Sequence, residues 1–176
     1  MNQHNRITRF FAAVLAIGGI VGFANNAWML YSGFGVVYFR PDGNGISEFL
    51  LICVAGLFVW AGVAGALAWQ GTPYGRRWVL IFFASQIPFF NLPALKFWWS
   101  TGAAIGPFIT LGADFRPTAN LLFYWHLGAE LFVRLFGRVT EQYFIGLNLF
   151  AVLAVILLVR AGRRFRQVRV EVEEVF

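Results

Sequence analysis

Cysteine, histidine, serine and charge are all scarce in this chain. A single cysteine, Cys53, excludes an intramolecular disulfide and any metal centre built from thiolates. The two histidines, His4 and His126, stand far apart, and a zinc centre needs three or four ligands, so neither a metal nor another cofactor is expected. Four serines, Ser32, Ser47, Ser85 and Ser100, leave little room for a nucleophile backed by a base, and no glycine-rich phosphate cradle occurs. Charged residues make up 12% of the chain, against roughly a quarter in soluble domains. What fills their place is apolar: 59% of the residues are hydrophobic and 19% aromatic, with a mean hydropathy of +0.67. That balance belongs to membrane proteins and excludes disordered or fibrous chains.

Uncharged apolar runs cover residues 10–31, 49–69, 78–95 and 142–159. Each approaches the roughly 20 residues that a helix needs to cross a hydrocarbon core, and continuous rather than alternating runs point to helices. The expectation is therefore one integral membrane domain over residues 1–176, an all-α four-helix bundle with a tail at 160–176. Arg6 and Arg9 ahead of the first run, with Asn25-Asn26-Ala27 near its end, imitate a secretory signal; the apolar character that continues through Trp28, Leu30 and Tyr31 favours a retained span. The third run contains Gln86, Pro88, Asn91 and Pro93, which suggests a kinked crossing rather than a re-entrant one. Nine of the 14 basic residues fall in the N-terminus, the second connection and the tail: Arg6, Arg9, Arg76, Arg77, Arg160, Arg163, Arg164, Arg166 and Arg169. Positive charge marks the cytoplasmic side, so both termini are expected there, in a membrane of the bacterial inner type. The same excess, net +6 for the chain, suits anionic lipid headgroups, with Arg76, Arg77, Arg163, Arg164 and Arg166 as headgroup residues, rather than nucleic acid.

The longest connection is not a polar linker. From Leu121 to Leu135 every odd position is apolar, while the even ones include Tyr124, His126, Gly128, Glu130 and Arg134. A two-residue period sustained that long marks strand with one buried face. Ile109, Leu111, Ala113 and Phe115 alternate in the same phase upstream, and Pro117-Thr118-Ala119-Asn120 suits the turn between them. The competing reading is a surface helix that places His126, Glu130 and Arg134 on one stripe; it also drops Phe123 and Leu127 into that stripe, which the strand avoids. Gly35 to Arg40 is β-prone and ends in Pro41-Asp42-Gly43, a candidate third strand. A small antiparallel sheet or hairpin built from an extracytoplasmic loop at 100–138 is thus expected above the helices. The arrangement resembles the claudin-type layout of four helices carrying an extracellular sheet, although here the larger external loop is the second and that group's paired cysteines are missing.

The spans hold no central ionisable residue, the usual signature of intramembrane catalysis or ion transport. Gly18 with Gly22, Ala61 with Gly65 and Gly62 with Ala66 form small-residue pairs suited to close helix packing. Trp98 and Trp99 beside Lys96 read as an interfacial anchor of the third span. Valines alternating with charges at 168–173 suit strand addition to a partner. The leading expectation is a non-enzymatic accessory or scaffold subunit that binds another membrane protein, or a second copy of itself, through its helix faces and an external surface at Tyr124, His126, Glu130 and Arg134. The rival is a lipid- or quinone-binding module with a pocket at Gln86, Pro88, Asn91 and Pro93.

Overall fold

The computed structural model describes residues 3–31, 46–92, 95–111, 116–135 and 143–173. In chain order these form α1 (Gln3–Tyr31), α2 (Ile46–Trp69), α3 (Pro73–Ser85), β1 (Pro88–Asn91), β2 (Leu95–Leu111), β3 (Pro117–Leu135), β4 (Tyr143–Leu147) and α4 (Leu149–Glu173). The strand expected at Gly35 to Arg40 lies outside the described residues, as does Pro93.

Among the described residues, two helices are long and apolar enough to cross a membrane. Arg6–Trp28 offers 23 residues of mean hydropathy 1.9, and Ile52–Trp69 offers 18 residues at 2.0. They run antiparallel and very close. A Cβ on Gly65 would lie 2.6 Å from the Ala12 carbonyl oxygen, one on Gly19 2.4 Å from the Gly62 nitrogen, and one on Gly22 2.2 Å from the Phe58 ring. The small residues let the backbones meet with almost nothing between them, and Phe58, Leu15 and Ala12 fill the seam completely buried.

The four-helix bundle is not what forms. The third run gives a helix of only 13 residues, capped by Thr72, whose Oγ1 accepts from the Gly75 N–H at 3.1 Å, with Pro73 in its first turn. It stops at Ser85 because Pro88 disfavours helical geometry at Ile87; residues 88–91 of the run form strand β1, and Leu95 opens β2. The fourth run opens as strand β4, and its apolar helical part spans only Leu149–Gly162. Trp98 and Trp99 accordingly lie within β2, not at a helix end. The expected turn at Pro117 to Asn120 is instead the first stretch of β3. The kinked crossing and the claudin-type stacking of a sheet above four helices fall with the bundle.

The sheet is antiparallel throughout. β2 pairs with β3 from Leu95↔Leu135 to Leu111↔Pro117, the hairpin that the two-residue period foretells. Along its other edge β2 pairs with β1 at Phe97↔Phe90 and with β4 from Phe108↔Gly146 to Leu111↔Tyr143, while β1 and β4 pair with each other. Three straight strands cannot all be mutually antiparallel, so β2 must reverse direction between Phe97 and Phe108. The reversal is visible in the rings. Trp98 and Tyr124 are eight register positions apart, about 26 Å along a straight strand, yet their centroids are 4.2 Å apart. The crease falls at Gly102↔Gly128, with φ of 155° and 156°, values that side chains bearing a Cβ rarely adopt.

Between Phe97 and Phe108 no strand among the described residues lies beside the inner edge of β2, and two buried amides take that place. The Thr101 N–H donates to Gln86 Oε1 at 3.1 Å, and Gln86 Nε2 donates to Thr101 Oγ1 at 2.7 Å. The Ile105 N–H donates to Asn148 Oδ1, and Asn148 Nδ2 donates to the Ala103 carbonyl, both at 3.2 Å. Asn148 also caps α4, its Oδ1 accepting from the N–H groups of Phe150 and Ala151. Both amides are 1% exposed.

The creased hairpin docks on the middle of α1: a Cβ on Gly18 would come within 2.1 Å of the Thr101 carbonyl oxygen. Trp99, Ala129, Phe97 and Leu131 join the helix core there, with Trp99 set edge-on to Phe82 at 5.5 Å. The sheet is therefore wedged beside the helices and does not sit above them.

Two outcomes follow for stability in detergent. Asn148→Ala strands two β2 groups and the α4 cap and should cost about 2–4 kcal/mol, whereas Asn26→Ala, which loses only the bond within α1 to the Gly22 carbonyl, should cost about 1 kcal/mol or less. Gly18→Leu should prevent the sheet from docking and abolish a cooperative transition. Gly56→Ala, whose new Cβ meets nothing within 4 Å, should be neutral or stabilising by up to about 1 kcal/mol. Denaturant titration followed by tryptophan fluorescence reads all four.

Candidate functional site

The inward and outward surfaces of the sheet are set by the crease. Trp98, Phe108, Tyr124 and His126, at even positions of β2 and β3, turn into the fold of the hairpin. There Trp98, Tyr124 and Phe89 pack together, with Phe89 to Trp98 at 5.0 Å and Phe89 to Tyr124 at 6.3 Å, and Phe144 and Phe108 extend the cluster. His126 stacks on Tyr124 with ring centroids 6.2 Å apart. Gly146 leaves space for this filling, since a Cβ there would fall 2.2 Å from the Phe89 ring, while Gly106 lets the end of β4 approach, a Cβ there falling 1.8 Å from the Leu147 carbonyl oxygen.

The odd-numbered face is apolar but for Thr101, and it is divided in two. The half nearest the strand ends, with Trp99, Thr101, Ala103 and Ala129, is buried against the helices. The other half faces outward. Phe123 and Trp125 are each 73% exposed and Leu127 70%, and Leu121, Ile105 and Ile109 lie beside them in register. Ile145 and Leu147 of β4 continue the patch, and Leu149, Leu153 and Ile156 of α4 carry it onto the helices.

The surface expected at Tyr124, His126, Glu130 and Arg134 is thus differently placed. All four occupy even positions of β3, but the crease at Gly128 separates the first pair from the second, and the rings of Tyr124 and His126 are half-buried in the aromatic interior. Glu130 and Arg134 sit in register with Ser100 and Lys96, four strand residues apart, about 13 Å. The helical stripe that would bring them into contact does not form. Gln86 and Asn91 are buried, with Gln86 bonded to Thr101 through both ends of its amide and Asn91 in β1 opposite Phe144 and Lys96, and Pro88 opens that strand.

Of the small-residue pairs, Gly22, Gly62, Gly65 and Ala61 lie in the seam between α1 and α2, Gly18 faces β2, and Ala66 is exposed. Among the described residues, no group of three or more His, Cys, Asp or Glu is placed to hold a metal ion.

The basic residues gather at one end of the helices. α1 and α3 begin there, α2 ends there, and the apolar part of α4 ends there. The Arg9 guanidinium lies over the Trp69 ring at 5.6 Å. At this end a cleft of about 350 Å³ opens between α1, α3 and α4, lined by Thr8, Arg76, Arg77, Leu80 and Leu158. Thr8 is buried and Arg76 half-buried. Sequence reading assigned Arg76 and Arg77 to lipid headgroups but gave no sign that Thr8, nearly 70 residues earlier, stands beside them. Arg163, Arg164 and Arg166 follow on α4 beyond Gly162.

No family model, curated protein or solved structure matches the chain. The inverted burial of β3 is directly testable. Phe123→Ser and Trp125→Ser should change unfolding free energy in detergent by no more than about 0.5 kcal/mol, whereas Tyr124→Ala, which removes a ring from the interior cluster, should cost about 2–3 kcal/mol.

Proposed function

We propose that this chain is a membrane-embedded scaffold or accessory subunit that binds another integral membrane protein through the outer face of its creased hairpin. Length and composition of α1 and α2 alone are shared with buried core helices and signal sequences, so the membrane reading draws on exposure as well. Phe10, Ile17, Ile20 and Phe23 of α1 and Ile52, Leu57, Val59 and Val63 of α2 all face outward. Monomeric proteins in water rarely carry so continuous an apolar exterior, and hydrocarbon is the surrounding that costs it nothing. The arginine end lies on the cytoplasmic side by the positive-inside rule, with the sheet displaced toward the opposite end.

The observation that carries the partner reading is the outward half of the hairpin, where Leu121, Phe123, Trp125 and Leu127 project from a backbone held rigid by Gln86, Asn148 and the interior rings. Large aromatic side chains on a preorganised support lose little entropy on binding and are the usual anchors of protein interfaces. The carrier alternative draws less support, because Gln86, one of the two amides that would have lined its pocket, is spent on Thr101, and Asn91 is buried within β1.

A photoreactive benzoylphenylalanine placed in turn at 123, 125, 127 and, as helix-face controls, at 20 and 81 tests this in intact cells. The expected result is a protein adduct of one discrete mass from the hairpin positions only, lost when Phe123 and Trp125 are replaced together by serine wherever the probe is retained at 127. Lipid adducts alone from every position would show that the hairpin merely faces the bilayer and would overturn the partner role.

A further inference from the structure

We infer that the cleft at the arginine end is a binding site for a single anionic phospholipid, with the phosphate held by Arg76, Arg77 and Thr8 and the first part of an acyl chain lying along Leu80 and Leu158. This rests on the membrane reading and not on the hairpin's partner. Three observations converge. The cleft has a volume of about 350 Å³, within the range of small-ligand sites. The polar groups among its described lining residues are the adjacent Arg76 and Arg77 guanidiniums, each with several N–H groups of the kind that donates to phosphate oxygens, and the Thr8 hydroxyl, and no carboxylate is among those described residues. Arg76 and Arg77 stand near the start of α3, where the helix dipole adds positive potential.

The remaining wall is aliphatic, which distinguishes a lipid from a free phosphate. An inorganic dianion would surrender hydration to Leu80 and Leu158 with nothing returned, whereas a phosphodiester carrying a hydrocarbon chain satisfies both parts of the cleft. The depth agrees as well. Arg9 over Trp69 marks the same level, and a cation paired with an indole ring suits the headgroup boundary. On the α4 side the wall is left open by Gly162, where an added Cβ meets nothing within 4 Å.

That opening supplies a clean test. Full-length protein, delipidated in a mild detergent, is titrated with phosphatidylglycerol, phosphatidylcholine or inorganic phosphate and followed by native mass spectrometry. The expected result is one phosphatidylglycerol per chain, bound at least tenfold more tightly than phosphatidylcholine. Arg76→Gln with Arg77→Gln should weaken it at least tenfold. Gly162→Leu, which fills the cleft from a position with room for the side chain's first atom, should do the same, and it keeps the test available should the arginine variant fold poorly. Arg116→Gln, an exposed cation of the sheet, should change nothing. Equal retention of the two lipids, undiminished phosphatidylglycerol binding in a folded Gly162→Leu chain, or saturation by inorganic phosphate alone would each overturn the site. A chain that remains monodisperse without detergent would overturn the membrane reading beneath it.

Discussion

A strand that doubles back on itself must find partners for its peptide groups at the crease, and in this protein they come from two side-chain amides. Gln86 and Asn148 stand where a neighbouring strand would otherwise be, donating to and accepting from Thr101, Ala103 and Ile105. Leaving such groups buried and unpaired costs about 1–3 kcal/mol each, more than a small domain can absorb several times over. With those bonds made, β2 can pair with β1 before the crease and with β4 after it, and the even-numbered rings close into a single aromatic interior. The same crease decides the odd-numbered face, half of which docks on the helices and half of which turns outward.

The two amides also join the helices to the sheet. Gln86 follows the last residue of α3, so the end of that helix is fixed against Thr101. Asn148 sits between β4 and α4, and its side-chain Oδ1 serves the edge of β2 and the first turn of α4 at once. Its own N–H donates to the Ile87 carbonyl at 2.8 Å, which ties the two junctions together. Helix ends normally look to water or to local caps for their unsatisfied groups. Here one asparagine answers for a helix start and a strand edge, so neither element can shift without the other.

Much of this was legible in the sequence, and the parts that were not fail for identifiable reasons. The first two helices follow from long uninterrupted apolar runs, the hairpin from its two-residue period, and the gathering of arginines from simple counting. Residues 78–95 misled because a short apolar strand directly after an apolar helix reads as one continuous run, and hydropathy does not separate the two. The breakers Pro88 and Pro93 and the β-prone Phe89, Phe90, Phe97, Trp98 and Trp99 carried the contrary signal. At 142–159 the signal was Asn148 itself, an asparagine directly before an apolar helix, which reads as a cap. Alternation reported correctly that one face of β3 is apolar, but no periodicity tells whether that face meets protein or something else. Thr8 with Arg76 was beyond reach, since nothing local links residues so far apart.

The depth of the crease bears on why amides rather than water close the edge of β2. Gly18, against which Thr101 packs, lies nine residues from Arg9, about 14 Å along the axis of α1. On the proposed orientation Arg9 marks the headgroup level, which sets the crease well inside a hydrocarbon core about 30 Å thick. Water is absent at that depth, and backbone there must be satisfied by the protein itself. A creased strand is costly there unless its peptide groups are bonded internally, and Gln86 and Asn148 bond three of them, the N–H groups of Thr101 and Ile105 and the carbonyl of Ala103. It follows that the outward half of the hairpin begins at hydrocarbon depth, so a partner that recognises Phe123 and Trp125 must itself be embedded in the membrane.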